Sequence, residues 1–176
     1  MSFKKALAAA SFGAVFVSGV AFAEGVSEQA VIDAQMAWGE GIVAIASTHT
    51  EGGDFEAKAT DHIETLYAYG TSEVMFKPTL AAEDQFRETF GEALSYFIGT
   101  DGTEDSGFAI KGWTNVRWEN NGIYTAEDSA MAMGNYYFTG PDGNETKVEY
   151  TFGYVTDDAG DLKINLHHSS LPYAPE

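Results

Sequence analysis

Leu162-Lys163-Ile164-Asn165-Leu166-His167-His168-Ser169-Ser170-Leu171-Pro172 reads as the last strand of the chain. Side chains alternate across a strand. Leu162, Ile164, Leu166, His168 and Ser170 should therefore share one face, with Lys163, Asn165, His167 and Ser169 on the other. The first face opens with three aliphatic residues, so it is expected to point at a core, with His168 and Ser170 at its polar end. Two of the four histidines of the chain stand here side by side. Pro172 cannot continue a ladder and ends the strand.

The segments before it supply a sheet. Phe108–Trp118 reads as a strand, with Asn120-Asn121-Gly122 as a hairpin turn. Ile123–Thr139 and Thr146–Thr156 follow, separated by Gly140-Pro141-Asp142-Gly143, and Asp157-Asp158-Ala159-Gly160 leads into the final strand. The first half is helical. Val31, Ala34, Trp38, Ile42 and Ile45 fall on one stripe of a helix from Val26 to about Ser47, which Ser27 can cap. Asp54–Tyr69 repeats the pattern through Phe55, Ala59, Ile63 and Leu66 and stops at Gly70. Glu73–Lys77 is a short strand before Pro78. Thr79 can cap a third helix, about Ala81–Ile98, with Phe86, Phe90, Ala93, Leu94 and Phe97 inward and Tyr96 at the edge of the stripe. Helices first and a meander after is an α+β pattern, helices packed on one face of an antiparallel sheet.

The first 23 residues stand apart. Lys4 and Lys5 precede an apolar run, Ala6–Val20, and Ala21-Phe22-Ala23 is a small-x-small cleavage site. This is the pattern of a secretory signal peptide. Its removal leaves residues 24–176 as one domain, exported to the periplasm or beyond, with no later stretch apolar enough to span a membrane. The formal charge is −18, and two of the nine basic residues leave with the leader. Such a surface repels nucleic acid and anionic lipid. There is no cysteine, so disulfides, thiolate catalysis and cysteine metal sites are excluded.

The residues speak against two familiar chemistries. His167 and His168 point to opposite faces and cannot share a metal, and His49 and His62 show no ligand spacing. No G-x-S-x-G elbow is present, and His168 and Ser170 lie about 7 Å apart by strand rise, too far for a nucleophile–base pair. What is left is a pocket of neutral hydroxyls and one imidazole.

At this point a resemblance becomes specific. Phe76-Lys77-Pro78-Thr79, a helix ending Ser95-Tyr96-Phe97, and the terminal His167-His168-Ser169-Ser170-Leu171-Pro172 resemble the iota-class carbonic anhydrases, within the nuclear-transport-factor-2-like fold that also includes the association domain of calmodulin-dependent kinase II. The resemblance covers nearly all of residues 24–176. It implies a cone-shaped, curved antiparallel sheet with the N-terminal helices on its concave side, and a homodimer formed through the sheet. It implies carbon dioxide and bicarbonate as substrates and, in several members, catalysis with no metal or other cofactor. Carried onto this chain, the site is Thr79, Tyr96, His168 and Ser170, with His168 as base or shuttle and the hydroxyls as donors to bicarbonate. Lys77, Arg87 and Arg117 are further polar candidates. The competing reading is a non-enzymatic oligomerisation or ligand-binding module of the same fold. An isomerase-like reading would need an inward carboxylate, for which Glu149 is the candidate, but it opposes the Val148/Tyr150/Phe152/Tyr154 face.

Overall fold

Apolar alternation in the second half builds a five-stranded sheet. The structure, a computed structural model, describes residues 25–175; the expected signal peptide lies outside the described residues. The elements are α1 (Glu28–Thr50), α2 (Phe55–Leu66), β1 (Met75–Lys77), α3 (Phe90–Ile98), β2 (Asn115–Thr125), β3 (Ser129–Thr139), β4 (Glu145–Thr156) and β5 (Leu162–Ser170). The sheet order is β1-β5-β4-β3-β2. Every pairing is antiparallel except that of β1 with β5. The curved sheet and the helices over one of its faces are the α+β architecture expected from the sequence.

One face of the sheet makes the core. Ala130, Ala132, Tyr136 and Phe138 of β3 and Val148, Tyr150, Phe152 and Tyr154 of β4 are buried on it. Helix α1 lays Val31, Trp38, Ile42 and Ile45 against them, and α2 adds Ala59 and Ile63. Ser27 and Asp54 cap the two helices through their side chains, accepting from the Ala30 and Ala57 amides. Each such cap is worth about 1 kcal/mol.

Four of the departures from the sequence expectations have a clear local reason. Helix α2 ends at Leu66, because Tyr67 turns extended and bridges Ile164 of β5, with the Ala68 amide donating to the Ile164 carbonyl at 2.9 Å. Helix α3 starts at Phe90, where Thr89 and Glu92 form a reciprocal capping box that outranks Thr79 as a start signal. Phe86 is consequently exposed in an irregular segment between Pro78 and Thr89. A single 3-10 turn spans Phe108–Ile110, and β2 begins only at Asn115. Asn120-Asn121-Gly122 is a bulge inside β2 instead of a turn. Asn120 pairs with Gly134 and Gly122 with Met133, which leaves Asn121 without a partner. The turn lies six residues later, where the Ala126 amide donates to the Ser129 carbonyl. Gln35 holds this bulge from α1: its amide and that of Asn120 exchange two hydrogen bonds of 2.9 Å, and the Tyr150 hydroxyl donates to Asn120.

Candidate active site

Bulky aromatic residues seldom close a concave sheet completely, and here they leave a chamber of about 110 Å³, room for a small molecule and a few waters. Trp38 of α1, Tyr96 and Phe97 of α3, Phe108 of the 3-10 turn and Phe138 and Val148 of the sheet make most of its wall. Polar groups enter this apolar shell from several segments, among them Thr79 after β1, the Tyr96 hydroxyl of α3, Tyr136 of β3, and His167 and Ser169 of β5. Lys111 and Leu171 also contribute to the lining.

Thr79 and Tyr96 therefore stand where the sequence placed them, at the cavity. His168 and Ser170 do not. His168 is exposed, and Ser170 lies on the outer face, where its hydroxyl donates to Glu149 at 3.2 Å. His167 and Ser169 are buried instead, 3% and 4% exposed, and face the chamber. The cause is a second bulge. Ile164 pairs with Tyr154 and Leu166 with Gly153, so Asn165 is an extra residue that shifts the alternation by one. Ile164 points inward as expected, and every residue after Asn165 is inverted. An isolated glycine inside a strand, Gly153, is the signal in the sequence that marks such a bulge. Glu149 lies outward, as its position in β4 required.

The polar groups form two hydrogen-bonded sets. The Thr79 hydroxyl donates to Ser169 Oγ at 2.9 Å. The Tyr136 hydroxyl lies 3.4 Å from His167 Nε2. On the other side of the ring, Nδ1 is 2.8 Å from the Tyr67 hydroxyl, which accepts from Trp38 Nε1–H at 2.9 Å. The imidazole is stacked on Phe76 at 4.5 Å and packed against Phe152 at 4.1 Å. Sequence reasoning missed Tyr67, Tyr136 and Trp38. Periodicity alone assigns Trp38 to the core, where it also lies, and Tyr67 to a helix, which in fact ends one residue before it.

Burial sets the protonation of every one of these groups. It pushes the His167 pKa well below the ordinary imidazole value, helped by His168 and His62 nearby. It pushes the phenols of Tyr67, Tyr96 and Tyr136 upward. Chamber hydroxyls and imidazole alike are thus neutral around pH 7. Among the described residues no group of three or more histidine or carboxylate side chains is placed to hold a metal ion.

Thr79 and Tyr96 are held by a polar clamp behind them. The guanidinium of Arg87, 2% exposed, donates to Asp105 at 2.6 Å and to the carbonyls of Asp84 and Phe86. Asp105 also accepts from Ser95 of α3 at 2.7 Å, and Glu104 gathers the amides of Ala82, Glu83 and Asp84. The segment carrying Thr79 is thereby tied to the helix carrying Tyr96.

The family model for metal-independent carbonic anhydrase matches residues 29–171. The chain belongs to the metal-independent carbonic anhydrases. A metal-independent carbonic anhydrase of Nostoc sp. (strain PCC 7120) is 42% identical over 153 residues, which is 84% of this chain and 75% of that protein. Among solved structures, the iota-carbonic anhydrase of a cyanobacterium, crystallised with bicarbonate, superposes with a TM-score of 0.82 at 40% identity, over 86% of this chain and 95% of that one. A calcium/calmodulin-dependent protein kinase II association domain from Xanthomonas campestris matches at TM-score 0.60 and 20% identity, over 85% and 91% of the two chains. That likeness carries the fold alone.

Proposed function

We propose that the chamber catalyses the reversible hydration of carbon dioxide to bicarbonate, and that Thr79, Tyr96, His167 and Ser169 carry it. The observation that bears this reading is the convergence of neutral donors from four chain segments in an apolar, water-poor space. Carbon dioxide is apolar and suits the aromatic wall. When a water oxygen attacks the carbon, a C=O π pair moves onto oxygen, and charge grows where the hydroxyls of Tyr96 and Ser169 can donate, while Thr79, whose own hydrogen goes to Ser169, holds that serine in place. Fixed donors at a developing oxyanion are worth far more in such surroundings than in bulk water. The attacking water loses its proton to a solvent base at the mouth, since no chamber group is basic near neutrality.

Stopped-flow measurement of carbon dioxide hydration by residues 24–176 tests this. Activity is expected to survive exhaustive chelation and to fall by about ten- to a hundredfold in Thr79→Val and in Tyr96→Phe. Hydration lost on chelation and restored by zinc or manganese would refute the reading, as would full activity in both variants.

Two further aspects of the reading concern where and how the enzyme works. The leader pattern of residues 1–23 supports export, which mass spectrometry of the mature N-terminus from a periplasmic extract tests. The outer sheet face exposes Tyr124, Met131 and Met133, an apolar patch that supports a homodimer through the sheet. Met133→Glu should convert the sedimenting species to monomer; a wild-type protein that already sediments as a monomer rules the dimer out.

A further inference from the structure

Proton counting around His167 settles which nitrogen carries its hydrogen. Indole nitrogen can only donate, so Trp38 Nε1–H donates to the Tyr67 hydroxyl. Tyr67 is 2% exposed, and among the described residues Trp38 and His167 are the sole hydrogen-bond partners of its oxygen. Were Nδ1–H of His167 to donate to Tyr67 as well, the Tyr67 proton would be stranded in the core, at a cost of about 1–3 kcal/mol. The arrangement with every group satisfied has Tyr67 donating to Nδ1. The one hydrogen of the neutral ring then sits on Nε2, toward Tyr136 and the chamber.

We propose that Tyr67, fixed by Trp38, is a positioning residue that locks His167 in its Nε2–H tautomer, so that the imidazole serves the chamber as a hydrogen-bond donor and not as a base. The consequence faces the chamber. Nε2–H points at the Tyr136 hydroxyl, 3.4 Å away. Ser169 accepts from Thr79 and keeps its own proton for a chamber ligand. A hydroxyl that accepts a hydrogen bond is polarised by it, so Ser169 is a better donor than an isolated serine. This last step rests on the carbonic anhydrase reading; the tautomer does not.

The test uses the mature chain with 15N-labelled histidine. Long-range 1H–15N spectra distinguish a bare ring nitrogen from a protonated one, and the His167 signals are assigned by their loss in His167→Gln. The wild type should show bare Nδ1 and protonated Nε2, unchanged between pH 8 and pH 5.5. A proton on Nδ1, or on both nitrogens at pH 7, overturns the proposal whether or not any variant folds. In Tyr67→Phe the tautomer should change or become mixed. The turnover number should fall by roughly three- to tenfold with KM nearly unchanged; an unchanged spectrum with unchanged turnover overturns it. Glutamine keeps an N–H near the Nε2 position but has no basic nitrogen. His167→Gln should therefore retain about tenfold more activity than His167→Ala, and equal losses in the two would show that a base was removed. A wild type with the expected spectrum but no hydration of carbon dioxide would sink the activity reading and leave the positioning role of Tyr67 intact.

Discussion

At the scale of single residues, the site depends on which of two adjacent pairs faces inward. His167 and Ser169 are on the chamber, and His168 and Ser170 are on the outer face. Serine scanning separates the two faces. Ser169→Ala should cost about ten- to a hundredfold in carbon dioxide hydration, because it removes both the terminal donor and the acceptor that orients Thr79. Ser170→Ala removes a hydrogen bond to exposed Glu149 and should leave the rate within twofold. The reverse pattern in stopped-flow assays would restore the alternation read from the sequence. The residue types were legible from the chain: an imidazole, serines, Thr79 and Tyr96 in an apolar setting. Their facing was not. Alternation is a strict rule only for an unbroken ladder, and Asn165 breaks it without changing the composition of the strand.

At the scale of elements, the two bulges have a common construction. Each lies opposite a glycine on the neighbouring strand, Gly134 for the bulge at Asn121 and Gly153 for the bulge at Asn165. A Cβ on Gly134 would come within 2.2 Å of the Glu119 carbonyl oxygen and 2.8 Å of the Asn121 nitrogen. These are backbone atoms of β2 and cannot step aside. A Cβ on Gly153 would meet the Leu166 Cβ at 2.9 Å and the Asn165 side chain at 3.1 Å, which can give a little. Gly134→Ala should therefore be the more damaging change, above the 1–3 kcal/mol typical of overpacking, and Gly153→Ala within that range. Urea midpoints measure both, and a larger loss in Gly153→Ala would contradict the account. The helices were easier to read, since stripes such as Val31, Trp38, Ile42 and Ile45 follow from periodicity alone. The start of α3 was misplaced because Thr79 and Thr89 are both adequate caps, and only Thr89 has a glutamate three residues on. The segment left irregular between them is held by Arg87. Asp105→Ala would leave that buried guanidinium with Glu104, 3.8 Å away, as its nearest carboxylate and should cost about 3 kcal/mol. It should also lower turnover through the freed Thr79, so activity should fall even where the variant remains folded.

At the scale of the whole molecule, a core built around buried imidazoles makes stability depend on pH. His62 and His167 are both held neutral by burial, His62 with a pKa pushed down to about 3 and His167 well below the ordinary value. Trp38 lies between them, its ring centroid 6.0 Å from that of His62 and 5.5 Å from that of His167. In the unfolded chain each regains a pKa near 6.5. Above that pH neither state binds the proton and no penalty arises. As pH falls below it, the unfolded state takes up protons that the folded state refuses, so stability declines at about 1.4 kcal/mol per pH unit for each histidine. Between pH 7.5 and pH 5 the loss is about 2 kcal/mol apiece, roughly 4 kcal/mol together, a large share of the 5–15 kcal/mol typical of a domain. The carboxylates with lowered pKa values, Glu92, Glu104 and Asp142, act in the same direction but in a lower window, their contribution being lost only below about pH 4.5. The decline between pH 6.5 and pH 5 therefore belongs to the histidines. Urea unfolding at pH 7.5, 6 and 5 should show a falling midpoint at nearly constant slope, and His62→Leu should remove about half of the fall. A midpoint that stays level across this range would mean that the two imidazoles are not held neutral, and the donor role of His167 would fall with them.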